Sequence, residues 1–191
     1  MIKAIIFDLG GVVFKPELKK SINRILKTKE RLFSHTVQKK LMRGKIHMNK
    51  VYSLIGKKTN KGYAAVRAAY LESLSKKTIN GMPQLLETLK AKYVLAVITN
   101  TSKPSAYHHK KEGHYRWFKH KILSCDVGEA KPGKNIFMIM LKKLKNKPDE
   151  CIFVDDLEVN VRAARSIGMN AIQFKSAKQL KIDLKKFGVT P

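Results

Sequence analysis

The sequence predicts an α/β fold, a parallel sheet with a small all-helical insert placed directly after its first strand. Three observations carry this expectation. Five short apolar, β-rich runs recur at Ala4–Phe7, Tyr93–Ile98, Lys121–Cys125, Cys151–Val154 and Ala171–Phe174, the length and composition of strands buried on both faces. After the first run, helical patterns separate them, and strand–helix–strand alternation closes into a parallel sheet through right-handed crossovers. The stretch between the first two runs is too long for one crossover helix and shows no strand-like alternation.

Taken in order, the first strand runs into Asp8-Leu9-Gly10-Gly11, a polar, glycine-rich turn. Helical patterns follow at Leu18–Leu26, Arg31–Met42, Asn49–Ile55 and Ala64–Leu74, with Gly44, Gly56 and Gly62 as punctuation. The expected division is an α/β core of residues 1–14 and 81–191 with a helical insert at 15–80. The insert should lie over the C-terminal strand ends, where open parallel sheets form their ligand sites. Pro83–Lys92 then places Leu85, Leu86 and Leu89 on one face. Asn135–Leu144 gathers Ile136, Phe137, Met140 and Leu141, and Val159–Ile167 gathers Val161, Ala164 and Ile167. Ser176–Phe187 reads as a closing amphipathic helix with Leu180 and Leu184 inward.

Composition bounds the function. A chain of 191 residues with 43% hydrophobic content can bury one core and a small insert, not two large domains. No window has the ~18 apolar residues of a membrane span, and the N-terminal apolar stretch is short and cut by Asp8. The protein therefore reads as cytoplasmic. Cys125 and Cys151 have no metal-ligand spacing and read as reduced core thiols. The net charge of +26, from 40 basic and 14 acidic residues, points to anionic partners. Only 7 of the 40 are arginine, the residue that phosphate and base recognition favours, so a solvated lysine surface is the simpler explanation. A small phosphorylated substrate is thus the expected partner, and nucleic acid is not favoured. The insert holds 18 basic and 3 acidic residues, a net +15, so the charge is concentrated there.

The chemistry lies at the strand ends. Strand one ends in Asp8, strand two in Thr99-Asn100, strand three is followed by Gly128-Glu129-Ala130-Lys131-Pro132, and strand four ends in Asp155-Asp156. An aspartate can accept a phosphoryl group and split one hard displacement into two easier ones. Asp8 and Asp156 would hold Mg2+, which takes one or two carboxylates beside phosphate and water. Thr99, the amide of Asn100 and Lys131 would hold phosphoryl oxygens, with loop amides at Leu9–Gly11 as further donors. Singly, each has a bland reading: Asp8 as a strand-end carboxylate, Thr99 or the Asp155-Asp156 pair as caps, Lys131 as one of 33 lysines. Their joint order, each after its own strand, is what argues for a site.

That order resembles the four motifs of the haloacid dehalogenase (HAD) superfamily, through the segments FDLGGVVF, AVITNTS, DVGEAKPGKNIF and FVDDLEVNVRAARSIGM. The resemblance implies a Rossmann-like HAD core with a helical cap of the soluble epoxide hydrolase-like and sugar-phosphatase-like branch. It implies a magnesium-dependent phosphatase with Asp8 as nucleophile, Thr99 binding phosphate, Lys131 balancing charge, and Asp155 beside the ligand Asp156. The Gly10 carbonyl would be a further metal ligand. Two positions depart from the family pattern. Gly10 stands where a second aspartate usually protonates the leaving oxygen, and Asn160 where many members are acidic. Both departures occur together in the branch resembling α-glucose-1-phosphate phosphatases, whose anomeric leaving group needs less acid assistance. Gly10 also fits a 2-haloacid dehalogenase, but those enzymes need no metal and usually lack the aspartate pair retained here. A third reading is a catalytically weak or inactive member that binds polyanions through its basic cap. His108, His109, His114 and His120 lie among lysines and read as a solvated basic segment, with Trp117 and Phe118 anchoring it to the core.

Overall fold

The computed structural model describes residues 1–15, 34–74 and 77–191. The helical pattern at Leu18–Leu26 and the start of that at Arg31–Met42 lie outside the described residues. Five strands form one parallel sheet: β1 (Ala4–Phe7), β2 (Val94–Thr99), β3 (His120–Leu123), β4 (Cys151–Asp155) and β5 (Asn170–Gln173), in the order β3-β2-β1-β4-β5. The register sets Ala4 beside Val94 and Cys151, and Phe7 beside Val97 and Val154. Side chains alternate across the sheet. Ile5 and Phe7 therefore enter one hydrophobic layer with Leu85, Leu86, Leu180 and Leu184. Ala4 and Ile6 enter the other with Phe137, Met140, Val161 and Ala164. The helices behind these layers are α4 (Met82–Lys90) and α9 (Ala177–Lys185) on one face, α7 (Lys134–Leu144) and α8 (Glu158–Arg165) on the other.

Most boundaries fall within two residues of the sequence expectation. The helix expected at Asn49–Ile55 is the exception, running on to Thr59; the third strand ends at Leu123 rather than Cys125, and Ser124–Val127 turns into the short helix α6, which carries Cys125. β3 ends there because the Ser124 hydroxyl accepts from the Thr101 N–H at 2.9 Å and donates to the Thr101 carbonyl at 3.3 Å, turning the chain toward the end of β2. Both cysteines are buried free thiols, and burial pushes Cys125 up to about 11 and Cys151 up to about 12.

Among the described residues, three helices occupy the region after β1: α1 (His35–Met42), α2 (Met48–Thr59) and α3 (Gly62–Glu72). They enclose their own hydrophobic cluster, with Val51, Tyr52, Ile55, Val66 and Tyr70 at its centre. Gly44 and Gly62 mark turns as expected, but Gly56 lies inside α2. A Cβ there would come within 2.8 Å of the Gly62 backbone, so Gly56 sets the close approach of α2 to the start of α3. The chain leaves and re-enters the sheet region side by side: Lys15 N–H donates to the Lys77 carbonyl at 3.0 Å and Ile79 N–H to the Val13 carbonyl at 2.8 Å. Tyr70 OH shares hydrogen bonds with Ser102 Oγ at 2.8 Å and Ser105 Oγ at 2.6 Å, which fastens α3 to the start of α5 (Lys103–Lys111). No helix among the described residues is long and apolar enough to cross a membrane.

The histidines correct the expectation of a solvated segment. His114 is buried, and its ring centroid lies 4.1 Å from that of Phe14. His109 Nδ1 lies 2.8 Å from His114 Nδ1. Trp117 and Phe118 are buried in the core, as expected.

Candidate active site

β1 delivers Asp8 to the C-terminal edge of the sheet, where the Asp8 N–H still donates to the Val154 carbonyl of β4 at 2.9 Å. The chain then folds back at once, because the Leu9 carbonyl accepts from the Val13 and Phe14 amides, both at 2.9 Å. With Phe7 opposite Val97, Thr99 stands one residue beyond the level of Asp8, buried at the end of β2.

Lys131 reaches this edge on the loop before α7, and its side chain is 1% exposed. Nζ donates to Asp155 Oδ2 at 2.6 Å and lies 2.9 Å from Asp8 Oδ1. The second contact is an ion pair without hydrogen-bond alignment, so Asp8 Oδ1 is buried with no aligned donor. Asn100 fixes the Lys131 backbone from both sides: its Nδ2 donates to the Lys131 carbonyl and its Oδ1 accepts from the Lys131 N–H, each at 2.9 Å.

The two adjacent aspartates differ in environment. Asp155 is fully buried and accepts from Lys131 Nζ, from the Leu157 N–H at 2.9 Å, and from Asn160 Nδ2 at 3.0 and 3.1 Å to its two oxygens. Its lone pairs are committed to the protein, so it serves as an anchor for Lys131 and for the start of α8. Asp156 is half-buried beside Gly11, where a Cβ would sit 2.4 Å from Asp156 Oδ2. Gly11 also has φ +85°, so both its space and its backbone angle exclude a side chain.

Asp8, Asp155 and Asp156 each bring an oxygen within 4.8 Å of the others. Burial pushes the Asp8 carboxyl above its ordinary value; Lys131 pulls it back and Asp155 pushes it further up. Burial, then the charges of Asp8 and Asp155, push Asp156 up to about 6. Burial works against the charged form of Lys131, but Asp8 and Asp155 more than offset it and hold the ammonium above its usual range. Three carboxylates around one ammonium leave excess negative charge in a desolvated place. That charge, with an unaligned Asp8 oxygen, fits a hard divalent cation held by oxygen ligands. Asp8 and Asp156 have oxygens to give it; Asp155 does not.

The sequence model of haloacid dehalogenase-like hydrolases matches residues 2–168. The chain belongs to that family. Among curated relatives, it is 30% identical over 173 residues to the sesquiterpene phosphatase astK of Aspergillus oryzae, covering 87% of each chain. It is 27% identical over 194 residues to the bifunctional epoxide hydrolase 2 of Mus musculus, covering 87% of this chain but only 35% of that one. Among solved structures, a HAD family enzyme from Bacteroides thetaiotaomicron in complex with magnesium and inorganic phosphate superposes with a TM-score of 0.74. That pair is 23% identical, covering 92% of this chain and 96% of the other, and shares the HAD fold.

Within this HAD hydrolase, Lys131 contacts Asp8 and Asp155 directly, Asp156 brings an oxygen within 4.8 Å of theirs, Asn100 joins them through Lys131, Thr99 ends β2 and Gly10 lies in the loop after Asp8. Asn160 is the residue whose part the sequence concealed. It stands out there only as a departure, and in the structure it grips the carboxylate that holds Lys131.

Proposed function

We propose that the chain is a magnesium-dependent phosphate monoester hydrolase acting on a small phosphorylated metabolite through an aspartyl-phosphate on Asp8. The observation that carries this reading is the Asp8–Lys131–Asp155 arrangement with Asp156 beside it: a partly open carboxylate facing a buried ammonium that is itself held from behind. An Asp8 oxygen attacks phosphorus, the bond from phosphorus to the ester oxygen breaks, and the leaving oxygen takes a proton. Water then attacks the acyl phosphate, releasing inorganic phosphate and regenerating Asp8. Thr99, Asn100 and Lys131 hold the non-bridging oxygens, the last supplying the charge that balances them. Asp8, Asp156 and the Gly10 carbonyl would hold magnesium, which when bound offsets the repulsion between two anions. Residues 15–80 act as the cap over a core of residues 1–14 and 81–191, and supply substrate selection.

The relatives support phosphate as substrate, since the A. oryzae protein is named a phosphatase and the B. thetaiotaomicron structure holds magnesium and inorganic phosphate. Retention of Asp156, with an oxygen within 4.8 Å of those of Asp8 and Asp155, favours a metal-dependent reaction over dehalogenation.

The test is phosphate release across a panel of phosphate esters with and without magnesium. Asp8→Asn should abolish release with an unchanged circular dichroism spectrum, because an amide forms no acyl phosphate. Asp156→Ala should reproduce the loss seen on chelation. Unchanged release by Asp8→Asn removes the reading. A wild type without turnover of any ester leaves the inactive, polyanion-binding member in its place.

A further inference from the structure

A half-open cleft of about 730 Å3 lies at the N-terminal ends of β1 and β2, on the side of the sheet opposite Asp8. From Lys3 to Asp8 the chain advances five residues, roughly 16 Å at strand rise, so the cleft is separate from the catalytic end. Its floor is apolar, with Ile2, Tyr93 and Trp117, and its rim carries Lys3, Lys90, Lys92, Arg116 and Lys119. No carboxylate is among the residues that line it.

The rim cations are exposed. Lys90 Nζ donates to the Arg116 carbonyl at 3.3 Å and Lys92 Nζ to the Thr190 carbonyl at 3.4 Å, partners that position the ammonium groups without neutralising them. Lys3 pairs with the half-buried Glu150 at 2.5 Å, the one rim cation with a carboxylate partner among the described residues. Arg116 Cζ lies 3.7 Å from the centroid of the Trp117 ring. The indole is in turn fixed by its Nε1–H donating to Glu87 Oε1 at 2.7 Å. An exposed guanidinium braced on a fixed indole offers a planar cationic platform beside the half-buried Tyr93 ring.

We propose that this cleft binds single-stranded nucleic acid. A cationic track with planar stacking groups is the chemistry that single strands use, phosphates on the cations and unstacked bases on aromatic or guanidinium faces. A duplex keeps its bases stacked and presents none to such a floor. The concentration of cations in one cleft is what the general lysine surface does not explain.

Trp117 is the sole tryptophan of the chain, so its emission reports on the cleft directly. The full-length protein is titrated with a short oligothymidylate at several salt concentrations. A saturable change in emission is expected, with a log–log salt slope of about −3.5 for five phosphate contacts at ~0.7 each. Lys90→Glu/Lys92→Glu/Lys119→Glu should weaken binding at least tenfold and reduce the slope by about 2. Arg116→Ala alone should weaken it severalfold. Lys50→Glu/Lys57→Glu/Lys61→Glu, an equal charge change on exposed positions of the helical insert, should leave affinity within about twofold; phosphate-ester turnover should not change in the cleft variants. The proposal is overturned by equal weakening in both triple variants, by tighter binding of a duplex of the same length, or by inorganic triphosphate producing the same emission change at the same affinity.

Discussion

Gly10→Asp tests how the proposed reaction on Asp8 proceeds without a second carboxylate two residues further on. The substitution fits the backbone: Gly10 is exposed, its φ lies outside the left-handed region, and a Cβ there meets nothing within 4 Å. Stability should therefore change by less than about 1 kcal/mol, as for surface substitutions away from special features. Gly11 is the contrast, since the same addition there collides with Asp156. The catalytic effect should be large but selective. General acid assistance is worth about 10²–10⁴-fold, roughly 3–5 kcal/mol of barrier, when the leaving oxygen needs a proton. An alkyl phosphate needs that proton in the transition state, whereas p-nitrophenolate and an anomeric oxygen leave more readily. The wild type should accordingly hydrolyse p-nitrophenyl phosphate or an aldose 1-phosphate well above glycerol phosphate. Gly10→Asp should raise the glycerol phosphate rate alone, by tenfold or more, at saturating magnesium. Steady-state phosphate release on the three esters, with urea unfolding in parallel, makes the comparison. A stable variant with the wild-type leaving-group dependence would refute the reasoning and show that another group already supplies the proton.

Other perturbations follow from the same contacts. Lys131→Met should lower stability by about 3–5 kcal/mol, because it removes the cation paired with the buried Asp155 and with Asp8; an unchanged urea midpoint would show that the bonds from Leu157 and Asn160 hold Asp155 without it. Tyr70→Phe removes the hydroxyl shared with Ser102 and Ser105. Hydrogen exchange should quicken in α1–α3 with the sheet unaffected, and equal protection in both proteins would show that the hydrophobic contacts alone seat the helices.

The sheet was legible because strands buried on both faces are written as unbroken apolar runs, and Ala4–Phe7 and Cys151–Val154 are such runs with every residue buried. The candidate site residues could be placed from the sequence because Asp8 directly follows β1, Asp155 ends β4 with Asp156 next to it, and Lys131 follows α6 in the loop after β3, so backbone topology brings all four to one edge of the sheet. What stayed hidden depends on direction rather than order. Asp155 and Asp156 are equivalent as letters, yet one faces Asn160 and the other Gly11, and only the first has its lone pairs taken. Ser124 ends β3 through a bond to Thr101, a residue on another strand's loop. Gly56 carries no mark distinguishing helix contact from turn. The histidine cluster misled because its lysine neighbours suggested water, while its burial comes from Phe14, distant in sequence.

That cluster makes a pH prediction whose sign follows from burial. His109 and His114 face each other through Nδ1, so one proton lies between two neutral rings. Burial first, then neighbouring imidazoles, pull His109 down to about 4. Burial first, then His108 and Arg116 against the opposing charge of Glu112, pull His114 down to about 4. In the unfolded chain both titrate near 6.5. Between pH 6.5 and 4 the unfolded state therefore binds more protons, so stability falls as pH falls through that window. From pH 7 to 5 the loss is about 2 kcal/mol for a ring with the full shift, and less for His109, which is only half-buried. Asp156 acts in the opposite sense, since its folded value of about 6 lies above its ordinary 3.8 and acid stabilises the folded form there. The wild-type curve alone thus mixes two signs, and a variant is needed to separate them. His109→Leu/His114→Phe removes both partners of the hydrogen bond together, which leaves no buried donor or acceptor stranded, and keeps an aromatic ring on Phe14. Urea midpoints without magnesium at pH 7 and pH 5 should show the wild type losing about 2–4 kcal/mol more than this variant. Equal acid losses in the two proteins would mean that the rings take up protons in place, with solvent reaching them past Phe14.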